Sequence, residues 1–375
     1  MGVDMKWING ILVTLIAVGA ASAPATTRPV IDCPLRNKPF SVASPLVDIF
    51  LNPAAKAIVD LEMPRGFSQL PVDVTRTQSP TFASILTLGD SSLMLGIPPD
   101  ALARIDAALR RLRVTRADRI ARCERYDNDT PEISLPAGQP RILLFDKSTG
   151  FRDNPSVAAA NAAFTAMAQR KHWALVSTDR GGAFTASFLR QFDAVIWNNV
   201  SGDVLTLSQR RALRRWIERG GAFIGVHGSA GDPVYFWDWY ADTLIGARFA
   251  GHPMTKHLQN ARIVVEARDH AIAQGLPGEW VMQDEWYSFK NSPRASGSRI
   301  IATLDESTYD PETWGQQSLR MGDHPIAWAR CVGKGRMFYS AIGHRPESYV
   351  NPQHVTMFES AIGWAVSIDH TECRI

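Results

Sequence analysis

The feature that most restricts the fold of this chain is an alternation of strand and helix patterns that begins at residue 141. Short apolar runs of strand length alternate with amphipathic stretches of helix length. The strands predicted are Arg141–Phe145, Trp173–Ser177, Asp193–Trp197, Ala222–Val226, Ala261–Val265, Ile300–Leu304, Ile326–Cys331 and Arg336–Ser340. The helices predicted between and after them are Ser156–Arg170, Thr185–Gln191, Leu205–Arg219 and Pro352–Val366. This order predicts an α/β domain over residues 141–368, with a flavodoxin-like open, mostly parallel sheet and helices on both faces.

The preceding residues 24–129 predict a small all-helical domain. Apolar residues recur at helical spacing in Ser44–Asp60, Phe82–Leu95 and Asp100–Arg113, and Asp100 is expected to cap the last of these helices. Thr115 with Asp118 three residues later indicates a capping box. Residues 130–140 are polar and contain proline and glycine, which is typical of a linker, and residues 369–375 form a short tail.

The first 23 residues are typical of a signal peptide. Lys6 precedes an apolar run, Ile11–Ala20, which ends in small residues where cleavage is expected. An uncleaved N-terminal anchor is the alternative, although the run is short for a membrane span. We therefore expect a secreted or periplasmic protein with no stable membrane anchor after cleavage.

The four cysteines fit such an oxidising compartment. The preferred pairing joins Cys33 to Cys123 and Cys331 to Cys373, because each bridge would hold a loosely attached end of the chain. Four cysteines allow three connectivities, so this pairing is a preference. A structural zinc site is disfavoured because no C-x-x-C spacing occurs.

The composition excludes some classes of partner. Hydrophobic residues make up 45% of the chain and charged residues 21%, the balance of a protein with a sizeable core. A formal net charge of +3 is too small to indicate nucleic acid or an anionic membrane as the main partner. We expect neither nucleic acid nor a nucleotide cofactor, and the oligomeric state stays open.

Polar residues follow several of the predicted strands. They are Asp146, Lys147, Ser148 and Thr149; Asn198, Asn199 and Asp203; His227, Ser229 and Asp232; and, later in the chain, His252, Asp284, Glu285, Asp323, His324, His344 and Glu347. A single loop histidine is more often a surface or capping residue than a ligand. Because the carboxyl ends of parallel strands share one edge of a sheet, the set as a whole predicts a functional site there.

These stretches resemble the ThuA-like (trehalose utilisation) family, whose fold is like that of class I glutamine amidotransferases. The matching motifs are KSTGFR at 147–152, NNVSGDVLT at 198–206, RGGAFIGVHGSAG at 219–231, WDWY at 237–240, GHP at 251–253, DEWYSF at 284–289, LDESTY at 304–309, DHPIAW at 323–328 and GHRPESY at 343–349. They cover about three-fifths of the chain, nearly all of the α/β domain, and leave out the helical segment.

The turn after Ala222–Val226 differs from the amidotransferase pattern. Those enzymes place a nucleophilic cysteine there, whereas this chain has His227, so glutamine hydrolysis through a thiolate is disfavoured. Ser229 stands in a sequence close to G-x-S-x-G, which leaves a serine hydrolase as one alternative.

The preferred chemistry is a metal- or histidine-based site. His227, His252, Glu285 and His344 are the candidate ligands, because imidazole and carboxylate together suit zinc, manganese or a similar divalent ion. The alternative is that these residues only hold the strand-end loops together through hydrogen bonds.

The resemblance implies a trehalose-like disaccharide or a 3-keto-glycoside as substrate. The candidate acid/base residues are Asp284, Glu285 and His324. The candidate substrate-binding residues are Lys147, Asn198, Asn199, Asp203, Trp286, Tyr287 and Glu347, the two aromatic rings being suited to stacking on sugar faces. Elimination from a keto-sugar, hydrolysis by two carboxylates, and a non-catalytic carbohydrate-binding or scaffold protein all remain open.

Overall fold

The computed structural model describes residues 29–63, 67, 70–313, 317–367 and 373. The predicted signal peptide lies outside the described residues, as does the tail apart from Cys373. Within the described part, no helix is both long and apolar enough to cross a membrane.

The segment before residue 130 consists of short helices packed on a core of its own. They are α1 (Leu46–Leu51), α2 (Pro53–Glu62), α3 (Val72–Thr75), α4 (Leu88–Ser91), α5 (Pro99–Arg111) and α6 (Arg116–Cys123). The Thr115–Asp118 capping box of α6 is present, as predicted. The predicted cap at Asp100 is wrong, because Pro98 occupies the N-cap position. Asp100 instead lies in the first turn and pairs with Arg104, four residues later.

A nine-stranded sheet forms the centre of the α/β domain, in the order β2-β1-β3-β4-β11-β10-β9-β6-β7. Its strands are β1 (Arg141–Phe145), β2 (Ala174–Thr178), β3 (Ala194–Asn198), β4 (Ala222–Val226), β6 (Gln259–Val265), β7 (Glu279–Asp284), β9 (Arg299–Asp305), β10 (Pro325–Val332) and β11 (Gly335–Ser340). A separate antiparallel pair joins β5 (Phe249–Gly251) to β8 (Ser288–Phe289).

The sheet has a parallel half and an antiparallel half. Strands β2, β1, β3, β4 and β11 pair in parallel, whereas β10, β9, β6 and β7 continue the sheet through antiparallel pairs. The predicted α/β class with a largely parallel central sheet and a preceding helical region is confirmed. The antiparallel extension follows from the tight turn at Gly333 that joins β10 to β11, a connection that parallel neighbours cannot use.

The helices of this domain are α7 (Asn154–Lys171), α8 (Ala186–Leu189), α9 (Leu207–Glu218) and α10 (Pro352–Val366). Right-handed crossovers put α7 on one face of the sheet and α8 and α9 on the other, since the chain reverses direction across the sheet after β2. Helix α10 joins α7, with Phe358 packed edge-on against Phe164. The carboxyl ends of β1, β3, β4 and β11 therefore meet at one edge.

Both preferred disulfides form, Cys33 with Cys123 and Cys331 with Cys373. The first ties the beginning of the helical segment to α6. The second ties residue 373 to β10.

Candidate functional site

Four histidine side chains surround one buried carboxylate, that of Glu285. His227 Nε2 lies 3.2 Å and His344 Nδ1 3.6 Å from Glu285 Oε2. On the other carboxylate oxygen, His252 Nδ1 lies 3.3 Å from Oε1, and His257 Nε2 is hydrogen-bonded to it. The histidines come from three separate stretches of chain, so only the folded protein brings them together.

His227 occupies the turn after β4 in a strained conformation. Its φ of +37° lies in the left-handed region, which costs a non-glycine residue about 1–3 kcal/mol. Its Nδ1 lies 2.7 Å from the carbonyl oxygen of Ala341 and donates to it, so in the neutral ring Nε2 carries no proton. The ring of Tyr287 stacks on the imidazole with centroids 4.1 Å apart. The strain and these contacts together aim Nε2 at Glu285.

Asp284 positions the other side of the cluster. It is fully buried, and its carboxylate accepts hydrogen bonds from the amides of Gly343 and His344 at 2.9 and 3.0 Å and from the hydroxyl of Ser348 at 2.5 Å. These bonds fix the loop that carries His344. Because successive side chains of an extended chain point in opposite directions, Glu285 faces the histidines while Asp284 faces the loop.

Burial and the central carboxylate set the ionisation of the cluster. Burial opposes the charge on Glu285, but the neighbouring imidazole of His227 and the hydrogen bond from His257 hold its pKa well below the usual range. Burial likewise disfavours a charged His227, yet Glu285 outweighs it and raises the pKa of that imidazole. Burial lowers the pKa of His252, and that of His344 to about 4, so these two rings are neutral at physiological pH and keep a lone pair available to a ligand.

The arrangement fits a divalent metal ion. Two triads sharing Glu285, one with His227 and His344 and the other with His252 and His257, have ligand atoms within 4.8 Å of one another. Two nitrogens bound to one zinc lie at most about 4 Å apart, so small side-chain rotations would close either triad. Moreover, His227 Nε2 is buried without a hydrogen-bond partner among the described residues, although Glu285 is near. An imidazole that binds a metal typically donates one ring N–H to a carbonyl oxygen and leaves the lone pair of the other nitrogen free for the ion.

A small cavity of ≈ 30 Å³ adjoins the cluster, lined by His227, His344, Tyr287, Asp232 and Phe151 among others. Asp232 is buried, and burial raises the pKa of its carboxyl to about 7, although it accepts bonds from the Ser201 hydroxyl at 2.5 Å and the Gly202 amide at 2.7 Å. The cavity holds about one water, so a larger ligand would have to lie across its mouth.

The helical segment contributes to the mouth of this cavity. Phe151 is 39% exposed, and its ring stacks on His344 with centroids 6.4 Å apart. Phe82, from the helical segment, stacks on Phe151 at 5.2 Å. The segment is also bonded to the neighbouring strand-end loop through Thr81, whose amide donates to the carbonyl of Thr149 at 3.0 Å.

The four predicted ligands, His227, His252, Glu285 and His344, all lie in the cluster. The predicted acid/base residues do not all lie in the cluster. Glu285 is central and Asp284 adjoins it, but His324 is a buried residue of another network. Its Nδ1 lies 2.8 Å from Glu306, and its Nε2 donates to the carbonyl of Tyr287 at 2.8 Å.

The predicted substrate-binding residues mostly serve other contacts. Tyr287 lines the cavity, whereas Trp286 is 1% exposed and donates to the carbonyl of Gln259, leaving no face for a sugar. Lys147 pairs with Asp127, and Asp203 accepts from Tyr126 and Arg210.

Asn198, Asn199 and Glu347 likewise lie outside the cluster. Asn199 lines the cavity wall, but its amide bonds Asn198 and Tyr349 at 2.9 and 2.8 Å, and Asn198 is buried against α7. Glu347 is 65% exposed and pairs with Arg345.

Sequence reasoning did not select His257 or Asp232. His257 follows His252 by five residues in an irregular loop, and that pair of nearby histidines was the one available signal. Asp232 stood among the strand-end residues with nothing to set it apart. The hydroxyl of Ser229 has no hydrogen-bond partner among the described residues, so no base is placed to activate it.

Comparison with known proteins covers the α/β domain. The family profile named ThuA, trehalose utilisation, matches residues 141–365. A ThuA-like protein from Bacteroides uniformis is 22% identical with a TM-score of 0.54, over 64% of this chain and 97% of its own.

More distant structures also align. A ThuA-like protein from Parabacteroides merdae is 15% identical with a TM-score of 0.46, over 62% of this chain and 92% of its own. A cytoplasmic protein of Salmonella typhimurium, STM3548, is 7% identical with a TM-score of 0.40, over 60% of this chain and 98% of its own. No curated protein matches the sequence.

Proposed function

This chain belongs to the ThuA, or trehalose utilisation, family over residues 141–365, and on that premise we propose that it is an exported enzyme that cleaves a disaccharide or 3-keto-glycoside by metal-assisted acid/base chemistry. The observation that carries the proposal is the convergence of four imidazoles on the buried carboxylate of Glu285. Within this cluster, the buried His227 Nε2 makes no hydrogen bond to any described residue. A site built only to hold loops together would satisfy that nitrogen, since an unpartnered buried polar atom costs about 1–3 kcal/mol.

Glu285 and histidines of the two triads would hold the ion. A divalent ion so bound supplies Lewis acidity toward a sugar carbonyl or hydroxyl oxygen. Glu285 suits a ligand better than a base, because a carboxylate whose pKa is held well below its usual range accepts a proton poorly.

Asp232 is the proposed proton carrier. Its pKa of about 7 is close to the value that best serves proton transfer near neutrality. On a 3-keto-glycoside, the carboxylate would take the proton from C2, the electron pair would form a C1–C2 double bond, and the C1–O bond would break. The proton then passes from Asp232 to the departing oxygen, so the residue ends in its starting form and no oxidant is needed.

The sugar would lie across the cavity mouth, against the exposed part of the Phe151 side chain. An aromatic ring offers the C–H face of a pyranose an apolar surface of matching size. Phe82 behind it would keep the ring in place, which gives the helical segment a part in the site.

Export rests on two features. The two disulfides fit an oxidising compartment, and the first 23 residues are typical of a signal peptide. We therefore place the protein in the periplasm or outside the cell, with a small sugar as its partner.

The test is release of free sugar from 3-keto-disaccharides, compared with the parent disaccharides, by purified protein supplied with Zn²⁺ or Mn²⁺. We expect turnover that EDTA abolishes and added metal restores. Binding of the sugar without any turnover would contradict the enzyme and identify a carbohydrate-binding protein of the same fold.

A further inference from the structure

A large basic cleft lies at the opposite edge of the sheet, where β3, β4 and β11 begin. Its volume is ≈ 760 Å³, within the range of about 300–1,000 Å³ usual for small-molecule sites. The cationic residues that line it are Arg190, Arg211, Arg215, Arg219, Lys334 and Arg336, and Asp193 is an acid in the same wall. Phe192 and the half-buried Trp216 add apolar surface.

Among the described residues that line this cleft, cationic side chains outnumber acidic ones. The carboxyl ends of α9 and α10 each contribute the equivalent of about half a negative charge. Arg336 donates to the carbonyls of Trp364 and Ser367 at the end of α10 and is left out of the count, and the five other cationic side chains outnumber the single acid, Asp193, among the described lining residues. The net charge of the whole chain is only +3, so positive charge is concentrated here.

Two sets of arginines on α9 show that the excess is specific to the cleft side. Arg210 pairs with Asp203 and Arg214 with Glu218. By contrast, Arg211 and Arg215 line the cleft, and neither makes an ion pair among the residues that the structure describes. Arg219 continues this row at the same four-residue spacing, which brings like charges about 5–6 Å apart at Cβ, a mildly destabilising arrangement.

We propose that this cleft binds a small soluble anion that carries two or more phosphate or sulfate groups. Guanidinium groups bind tetrahedral oxyanions through paired N–H donors, and a row of them suits adjacent anionic groups. The concave shape favours a small molecule over a flat membrane surface. The site lies at the edge of the sheet away from Glu285 and does not depend on the function proposed for that cluster.

Isothermal titration of the full-length, disulfide-bonded protein with inorganic pyrophosphate tests this inference. In the double variant Arg211→Gln, Arg215→Gln we expect the Kd to rise at least about tenfold, because charge-assisted bonds are lost. Arg214→Gln is the matched control on the same helix and should change the Kd less than about twofold, as expected of an exposed, already paired arginine. Equal Kd values in all three proteins, or no pyrophosphate binding in the unsubstituted one, would overturn the proposal.

Thermal melting separates binding from a structural role of the arginines. Removing like-charge neighbours should leave the Tm of the double variant equal or higher without ligand. A lower Tm with unchanged pyrophosphate affinity would show that the arginines serve the helix ends instead. Binding to phosphatidylglycerol vesicles without binding to pyrophosphate would also overturn the proposal, in favour of a membrane surface.

Discussion

Two histidine–glutamate groups lie in this domain, and they differ in how completely their polar atoms are used. In the pair formed by His324 and Glu306, both imidazole nitrogens have partners, and Glu306 also accepts from the amides of Met321 and Gly322 at 2.6 and 3.1 Å. In the Glu285 cluster, four imidazoles surround one carboxylate, and His227 Nε2 lies 3.2 Å from Glu285 Oε2 but makes no hydrogen bond to any described residue.

The number of satisfied imidazole nitrogens separates a structural histidine, His324, from a candidate ligand, His227. His227 and His324 are both buried and both stand in loops beside strands, so residue type and position alone do not distinguish them. A closed set of hydrogen bonds contributes stability, whereas an unsatisfied nitrogen beside a carboxylate costs stability unless something binds there. Substitutions in the cluster should therefore impair function, and substitutions in the pair should impair the fold.

Asp232→Asn is expected to have the largest effect. Loss of a general acid/base typically lowers kcat by about 10²- to 10⁴-fold. Turnover of a 3-keto-disaccharide measures this, with metal content as the control that should not change. A kcat within a factor of about three of the unsubstituted enzyme would remove Asp232 from the proposed chemistry.

The same variant should alter the pH dependence of stability. Burial raises the pKa of Asp232 from 3.8 to about 7 in the folded protein, so the folded state holds this proton more tightly than the unfolded state. Its contribution is present below pH 3.8 and is lost as the pH rises through 7. Urea unfolding should thus show Asp232→Asn gaining stability relative to the unsubstituted protein between pH 5 and pH 8. A constant difference across that interval would contradict the assignment.

Glu285→Gln should weaken metal binding while leaving the fold intact. Loss of an outer partner already weakens metal affinity about 10–100-fold, and loss of the shared ligand should do more. We expect Zn²⁺ or Mn²⁺ to raise the Tm of the EDTA-treated unsubstituted protein and not that of the variant. An equal metal-induced rise in both would show that the ion binds elsewhere.

Glu306→Gln should have the opposite effect to Glu285→Gln, lowering the stability of the fold and leaving metal binding unchanged. The hydrogen bond with His324 chiefly holds the pKa of Glu306 near 2, against burial, so the charge contributes stability above pH 4.5 that disappears as the pH falls toward 2. Bonds to a charged group contribute about 1.5–3 kcal/mol, which is the loss expected in urea unfolding at neutral pH. Metal content should be unchanged. A stability loss as large at pH 2 as at pH 7 would refute the role of this charge.

Glu347→Gln should have the smallest effect and serves both regions as a control. Its side chain is 65% exposed, and surface ion pairs contribute at most about 1 kcal/mol. We expect kcat/KM and Tm to stay close to those of the unsubstituted protein. A marked loss of sugar affinity would instead support the substrate-binding role predicted from its motif.

Much of the fold could be predicted because the spacing of apolar residues along the chain reflects which side chains are buried. Strand β4 and helix α10 begin and end at the predicted residues, and their apolar residues all serve the core. Strand β7 was missed because it lies at the sheet edge, where only alternate residues are buried and the run contains polar side chains.

The candidate ligands of the site could be predicted from the sequence, whereas the orientation and burial of the neighbouring side chains could not. Motif order grouped His227, His252, Glu285 and His344, because residues at the strand ends of one edge must meet. Periodicity does not reveal which of two adjacent acids faces a cluster, so Asp284 and Glu285 were both predicted to be acid/base residues, and the bond between Asp284 and the loop of His344 was not foreseen. Nor does it show that Trp286 is buried, with its indole N–H donated to the carbonyl of Gln259 at the start of β6.

Elemental analysis of the purified protein and of His227→Ala tests the metal-binding role of the Glu285 cluster most directly. We predict about one divalent ion per chain in the unsubstituted protein, as in other sites with this donor set, and loss of most of it in the variant. The metal-binding role of this cluster would be contradicted if the unsubstituted protein bound no divalent metal, or if His227→Ala retained all of the metal that the unsubstituted protein binds.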